Sequence, residues 1–139
     1  MITHSATIRL RTRGFSDVHD LTPAVQHAVT ASGAAGGVVT VFVPGSTAGI
    51  TTIEFEDGAI EDLRHAIERI APSDIHYRHD ARWSDGNGFS HVRAALLGPS
   101  IAVPFSNGEL DCGTWQQIIL IDFDNRPRSR DVIIRVLGD

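Results

Sequence analysis

Apolar and polar residues alternate from Ala6 to Arg11, with Ala6, Ile8 and Leu10 set against Thr7, Arg9 and Arg11. A period of two belongs to a strand with one buried face, so this segment predicts a half-buried strand, with Gly14 to Asp20 returning as its partner. The period then lengthens. Thr22-Pro23 reads as an N-cap followed by proline at the first helical position, Ala24, Val25, Ala28 and Val29 recur at helical spacing, and Gly33 stops the helix. Gly37 to Pro44 is a β-branched run too short for a membrane and too uniformly apolar for an edge, which predicts a central buried strand. Gly45 to Phe55 opens as a Gly/Ser/Thr loop and becomes another β-branched strand.

Ile60, Leu63, Ile67 and Ile70 recur at three- and four-residue steps before Pro72, so a second helix covers one sheet face. Val92, Ala95 and Leu96 suit a short third helix closed by Gly98. Ile101 to Phe105 is strand-like, Asn107-Gly108 carries a hairpin signal, and Leu110 begins the return. Trp115 to Phe123 reads as an apolar strand, Asn125 to Asp131 as a turn, and Val132 to Leu137 as the last strand. The pattern predicts one α+β domain over residues 1–139: a mostly antiparallel sheet or sandwich with two or three short helices.

Composition narrows the environment. The chain has 139 residues, 42% of them hydrophobic and 21% charged, which suits one globular core. Twelve basic residues against seventeen acidic ones leave a net charge of -5, the wrong sign for nonspecific grip on nucleic acid. A single cysteine, Cys112, excludes an internal disulfide and a Cys-rich zinc module. With no span-length apolar run and no leader pattern, a cytoplasmic protein with no membrane association is expected.

Candidate chemistry concentrates in His76 to Gly98, which holds His76, His79, Asp80, Asp85, Asn87 and His91 around a glycine loop. Imidazole and carboxylate are borderline-to-hard ligands, so His79 and His91 form a candidate metal pair, with Asp80 as a further ligand or as the group that orients an imidazole. Solvated loop histidines would give the same spacing. Gly45-Ser46-Thr47-Ala48-Gly49 could offer N–H groups and hydroxyls to a phosphate, although it lacks a Walker ending and a plain β-turn fits equally. Thr52 and Glu54 alternate with Thr51, Ile53 and Phe55 on opposite strand faces. Thr114, Trp115 and Gln116 supply a hydroxyl, a ring for stacking and an amide. Arg126, Arg128 and Arg130 are most simply a solvated hairpin tip, with an anion site as the alternative.

Several strings read together: V-P-G-S-T-A-G-I-T-T-I-E, H-D-x-R-W-x-D-G-N-G-x-S-H-V-R-A, L-L-G-P-S, N-G-x-L-x-x-G-T-W-Q-Q and D-F-D-N-R-P-R. In this order, over nearly the whole chain, they resemble the YjbQ-like family, often labelled secondary thiamine-phosphate synthase. The resemblance implies a small cytoplasmic α+β protein, commonly a homotrimer. It points to His79, Asp80, Asn87 and His91 as catalytic candidates, and to Ser46, Thr47, Thr51, Thr52, Glu54, Thr114 and Gln116 as lining. Where relatives often read G-H-S-H, this chain reads Gly88-Phe89-Ser90-His91, and the resemblance implies either weaker binding at the site or recruitment of His76 in place of the missing imidazole.

Three functions are expected from these residues. The first is a thiamine-phosphate synthase-type transfer of a pyrimidinylmethyl group from its diphosphate to a thiazole phosphate, with a divalent metal such as zinc or magnesium neutralising the departing charge. The second is metal-assisted hydrolysis of a small phosphorylated or acyl metabolite. The third is a noncatalytic trimer that binds a small phosphorylated heterocycle.

Overall fold

A computed structural model describes residues 1–139. The chain runs β1 (Ile2–Thr12), β2 (Asp17–Asp20), α1 (Thr22–Ser32), β3 (Gly36–Phe42), β4 (Ala48–Ile53), α2 (Asp57–Ile70), α3 (Arg78–Trp83), α4 (Gly88–Leu97), β5 (Ser100–Ser106), β6 (Glu109–Leu110), β7 (Gln117–Asp122) and β8 (Arg128–Gly138). One sheet has the order β1-β8-β3-β5-β6 and the other β2-β7-β4. Every pairing in both is antiparallel. The expected single α+β domain is therefore present, with four helices instead of two or three. No helix is long and apolar enough to cross a membrane.

The partner of β1 is not the segment that follows it. It is β8, paired from Ile2↔Gly138 to Thr12↔Arg128, while β2 joins β7 in the other sheet. The corner between β1 and β2 forces this change of sheet. Gly14, Phe15 and Ser16 all take positive φ, and the N–H groups of Phe15 and Ser16 donate to the carbonyls of Asp124 and Asp122. A Cβ on Gly14 would lie 2.5 Å from the Asp124 carbonyl, so only glycine allows the corner to dock there.

The 17-residue main core lies between the sheets and α1: Val39, Val41, Val103, Val132 and Ile134 meet Ile50, Ile118 and Leu120, with Val25 and Val29 from the helix. A smaller cluster of Ala94, Ile119, Ile121 and Phe123 fills the other side of β7 beneath α2 and α4. Thus β7 is buried on both faces, and its uninterrupted apolar run has a physical reason. β3 differs from the expectation. It is central in its sheet, yet only Val39 and Val41 face the core, while Val38 and Phe42 point outward and are exposed.

Helix ends also depart locally. Leu21 holds the N-cap position of α1, and Thr22 Oγ1 instead accepts a hydrogen bond from Ile118 N at 2.8 Å. Gly33, at φ 73°, closes that helix as expected. Glu56 caps α2 by accepting from Gly58 N and Ala59 N, both at 2.8 Å. α3 occupies part of the histidine stretch expected to be a loop, and Trp115 lies outside β7 with an exposed ring.

The end of β7 carries a buried polar network. Arg130 grips Asp122 with Nε at 2.7 Å and Nη2 at 2.9 Å, and Thr12 Oγ1 donates to the same carboxylate at 2.6 Å. Thr47 Oγ1 accepts from Arg130 Nη2 and donates to Asp124, which also accepts from Arg128 Nε. Asp122 and Asp124 are both 0% exposed. The last strand begins at Arg128, so Arg130 is part of this interior and not of a solvated hairpin tip. Removing one partner of a buried bidentate pair leaves an uncompensated charge, and Asp122→Ala is expected to cost about 3–5 kcal/mol in urea unfolding. The exposed Arg126→Ala is expected to change stability by less than about 0.5 kcal/mol.

Candidate functional site

His79 and His91 meet where α3 and α4 converge. Their ring centroids lie 4.3 Å apart with planes tilted by 37°. A tight turn makes the approach possible: Ser84 and Gly86 take left-handed φ between the helices, and a Cβ on Gly88 would come within 2.4 Å of Tyr77 Cβ. Asp80 Oδ1 accepts from Gly88 N at 2.8 Å, tying the acidic side chain of α3 to the first turn of α4.

Around His79 the donor atoms face one another. Its Nδ1 is 3.3 Å from Asp85 Oδ1 and 3.8 Å from Asp80 Oδ1. That nitrogen is buried and makes no hydrogen bond, and one ligand atom from each of His79, Asp80 and Asp85 falls within 4.8 Å of the others. An unpartnered buried nitrogen beside two carboxylates is a donor set that suits a divalent cation. His76 is exposed and stands outside this group, so it does not replace a missing imidazole. Burial first, and then the neighbouring His79, push the His91 pKa below the ordinary imidazole value, with Asp85, Asp124 and Asp80 opposing. His91 is therefore a neutral imidazole at pH 7.

Asn87 supports these groups from behind. Its Oδ1 accepts from Ser90 Oγ at 2.7 Å and from Asn125 N at 3.1 Å, while Asn125 Nδ2 donates to the Asp85 carbonyl at 2.8 Å. The amide fastens the start of α4 to the segment after β7, which makes Asn87 a positioning residue. Asp124 lies within this bracket. Burial raises its pKa, but hydrogen bonds from Thr47 and Arg128 and the charge of Arg128 outweigh burial and hold it below the usual carboxylate value.

The residue that departs from the family pattern does not face the cleft. Phe89 precedes His91 by two helical positions, about 200° around the axis, and packs beneath Arg93, whose guanidinium carbon lies 4.9 Å from the ring centroid. Arg93 is in turn held by the Ala71 carbonyl and Glu68. Replacement of histidine by Phe89 thus alters the packing of α4 against α2 and leaves the donor set around His79 intact.

The remaining sequence candidates divide between two places. Ser46 lines a cleft with His91, Gly45, Ala48, Ala94, Ala95 and Pro99. Thr47 is beside it, but its hydroxyl is engaged with Arg130 and Asp124. Thr52, Glu54, Thr114, Trp115 and Gln116 collect at the other end of the three-stranded sheet. Ala48 pairs with Asp122 and Ile53 with Gln117, so the two ends are about 17 Å apart along the strands. There Gln116 Nε2 donates to Thr52 Oγ1 at 3.2 Å, Trp115 is 71% exposed, and Glu54 and Thr114 are exposed. Thr51 pairs with Ile119 midway between the ends. A single chain does not bring this group to the histidines.

The pattern that defines the UPF0047 protein YjbQ-like family matches residues 6–139. The chain belongs to the YjbQ-like family. A UPF0047 protein of Archaeoglobus fulgidus is 35% identical over 130 residues, covering 94% of this chain and 98% of its own. A UPF0047 protein of Mycobacterium tuberculosis is 45% identical over 112 residues, covering 79% and 82%. Among solved structures, a protein of unknown function from Sulfolobus solfataricus superposes with a TM-score of 0.92 at 30% identity, covering 99% of this chain and 98% of that one. A YjbQ/UPF0047 protein from Clostridium acetobutylicum gives 0.87 at 32% identity, covering 95% and 99%.

Sequence reasoning passed over Asp122, Asp124, Asn125 and Arg130 as parts of the site's frame. The signal was present in D-F-D at the end of an apolar strand, where residues two apart share a face, followed by R-P-R-S-R with the same spacing. In metal-free protein the His91 ring is expected to titrate below the usual imidazole value by NMR, and His79→Ala should move it upward. A His91 titration unaltered by that substitution would contradict the electrostatic coupling of the rings.

Proposed function

We propose that this chain is a metal-dependent enzyme that hydrolyses a small phosphorylated metabolite in the cleft beside His79 and His91. The observation that supports this reading is the buried, unpartnered Nδ1 of His79 within 4.8 Å of the Asp80 and Asp85 carboxylates, beside the imidazole of His91. His79, Asp80 and Asp85 would hold the ion. One imidazole and two carboxylates suit zinc or another borderline-to-hard dication, and the two negative charges match it. When bound, such an ion supplies neutralisation of the phosphoryl charge.

The chain's own residues do the rest. His91, held neutral, accepts the proton of the attacking water as that oxygen bonds to phosphorus. The phosphorus–oxygen ester bond then breaks with its electron pair on the leaving oxygen, and the protonated His91 returns its proton to that alkoxide. Asn87 fixes the start of α4 and so keeps His91 in register with His79. Alanines 94 and 95 and Pro99 give the cleft a small, uncharged wall suited to the organic part of a compact substrate.

Transfer of a pyrimidinylmethyl group to a thiazole phosphate, the thiamine-phosphate synthase-type reaction, is the second reading. It uses the same charge neutralisation and is supported by the family resemblance, but it also needs a platform for two heterocycles. Trp115, Thr114 and Gln116 lie at the far end of β4 and β7 from His91, which ranks transfer below hydrolysis. A noncatalytic metabolite-binding protein ranks third. For the assembly we take a homotrimer, supported by the family resemblance and by an outer face in which exposed Val38 pairs with exposed Leu137 and exposed Phe42 lies beyond the Thr40–Arg135 pair.

Phosphate release from a panel of small phosphate monoesters, with zinc, manganese or magnesium, tests the reading. Chelation should remove activity, and His91→Ala should lower kcat by about 100-fold or more. Turnover that survives chelator and His91→Ala alike would sink the assignment, whereas diphosphate release only in the presence of a thiazole phosphate would establish transfer. Light scattering on the eluting protein should give about three times the 15.0 kDa chain mass. A monomer mass would refute the trimer.

A further inference from the structure

The loop between β3 and β4 has donors that the fold itself leaves free. The backbone N–H groups of Gly45, Ser46 and Thr47 donate to no group in the protein, and the exposed Ser46 hydroxyl makes no hydrogen bond. Successive N–H groups left free in a turn form a concavity suited to an anion. The loop borders the cleft of about 220 Å³ that it shares with His91.

A fifth donor comes from a buried side chain. Arg130 is 9% exposed at its side chain, with Nε and Nη2 committed to Asp122 and Nη2 also to Thr47. Its Nη1 makes no hydrogen bond and is not sealed from solvent. That nitrogen lies under Gly45: a Cβ built there would come within 2.9 Å of it, on a residue whose φ is +121°. The Asp122 carboxylate fixes the guanidinium plane and offsets its charge, so Nη1 is offered as an oriented donor. No carboxylate lines the cleft on this side, because Asp80 and Asp85 gather at His79.

We infer that Arg130 Nη1, the N–H groups of Gly45, Ser46 and Thr47 and the Ser46 hydroxyl form the seat for the phosphoryl oxygens of the substrate. The inference rests on the reading of a phosphorylated substrate and assigns its anion-binding residues. The seat lies on the cleft side of His91, and the carboxylates that would hold a cation lie on the His79 side. Gly45 and Ser46 line one cleft with His91, so a phosphoryl group held in the seat would share that cleft with the imidazole. Glycine at position 45 follows from both requirements: left-handed φ in the loop and open space above Nη1.

Isothermal titration of chelator-treated protein with inorganic phosphate tests this seat. The natural chain should bind phosphate saturably, Gly45→Ala should weaken binding by about tenfold or more, and Ser46→Ala by about threefold. Arg130→Lys should abolish it, but that change also breaks the buried pair with Asp122, so the first two variants decide. Their circular dichroism should match the natural chain, and their zinc binding, titrated separately, should be unchanged. Phosphate affinity unaffected in both Gly45→Ala and Ser46→Ala overturns the seat, as does the absence of saturable phosphate binding by the natural chain up to about 50 mM. Phosphate binding that responds to Gly45→Ala in a protein that hydrolyses no ester would keep the seat and dismiss the hydrolase.

Discussion

The bidentate ion pair between Arg130 and Asp122 is the constraint on which the rest of the structure depends. Both partners are buried, and neither could be left alone in an apolar interior without a penalty of several kcal/mol. Satisfying the remaining lone pairs and protons recruits Thr12 from β1, Thr47 from the β3–β4 loop and, through Thr47, Asp124 beyond β7. One network therefore joins the five-stranded sheet, through Thr12 and Arg130, to the three-stranded sheet, through Asp122. A substitution that removed it would loosen the end of the sandwich that carries the histidines.

Precision in the cleft follows from the same network. Asn125, next to Asp124, donates its backbone N–H to Asn87 Oδ1 and its side-chain Nδ2–H to the Asp85 carbonyl, so the α3–α4 connection is fastened to the end of β7. Of the metal-ligating candidates, His79 and Asp80 sit on α3, a short helix that buries no residue, and Asp85 on the turn that follows it. They are held instead by polar contacts to a rigid sheet. Such an arrangement suits catalysis, in which donors must be oriented before the reaction and not during it. Its electrostatics divide the cleft into a carboxylate side that favours a cation and an uncharged side with free N–H donors that favours an anion.

Acid should act on this frame before it acts on the apolar core. Asp124 and Asp17 both have folded-state pKa values below the ordinary carboxylate value; at Asp17 burial opposes the shift, and hydrogen bonds from Arg13 and His19 overcome it. A depressed carboxylate contributes stability that is complete above its unfolded pKa and is lost as pH falls through the folded one, here below about pH 4. The end of the sandwich carrying the histidines thus loses stability in acid.

Period-two and helical spacing located most strands and three of the four helices, because those periods depend only on local geometry and on which face meets the core. The sequence also marked His79, Asp80, Asn87 and His91 as one group, since they lie within a short stretch that a turn can fold back on itself. Pairing could not be read in this way. β1 chose β8 over its neighbour because three positive-φ residues turn the chain into the other sheet, a long-range docking that no local period records. Nor could the sequence tell that Arg130 lies inside while Arg126 remains in solvent, or that Trp115 and His91 occupy opposite ends of one strand pair. Local composition is the same for a buried and an exposed arginine; only the arrival of Asp122, Thr47 and Thr12 from distant segments makes burial of that charge favourable.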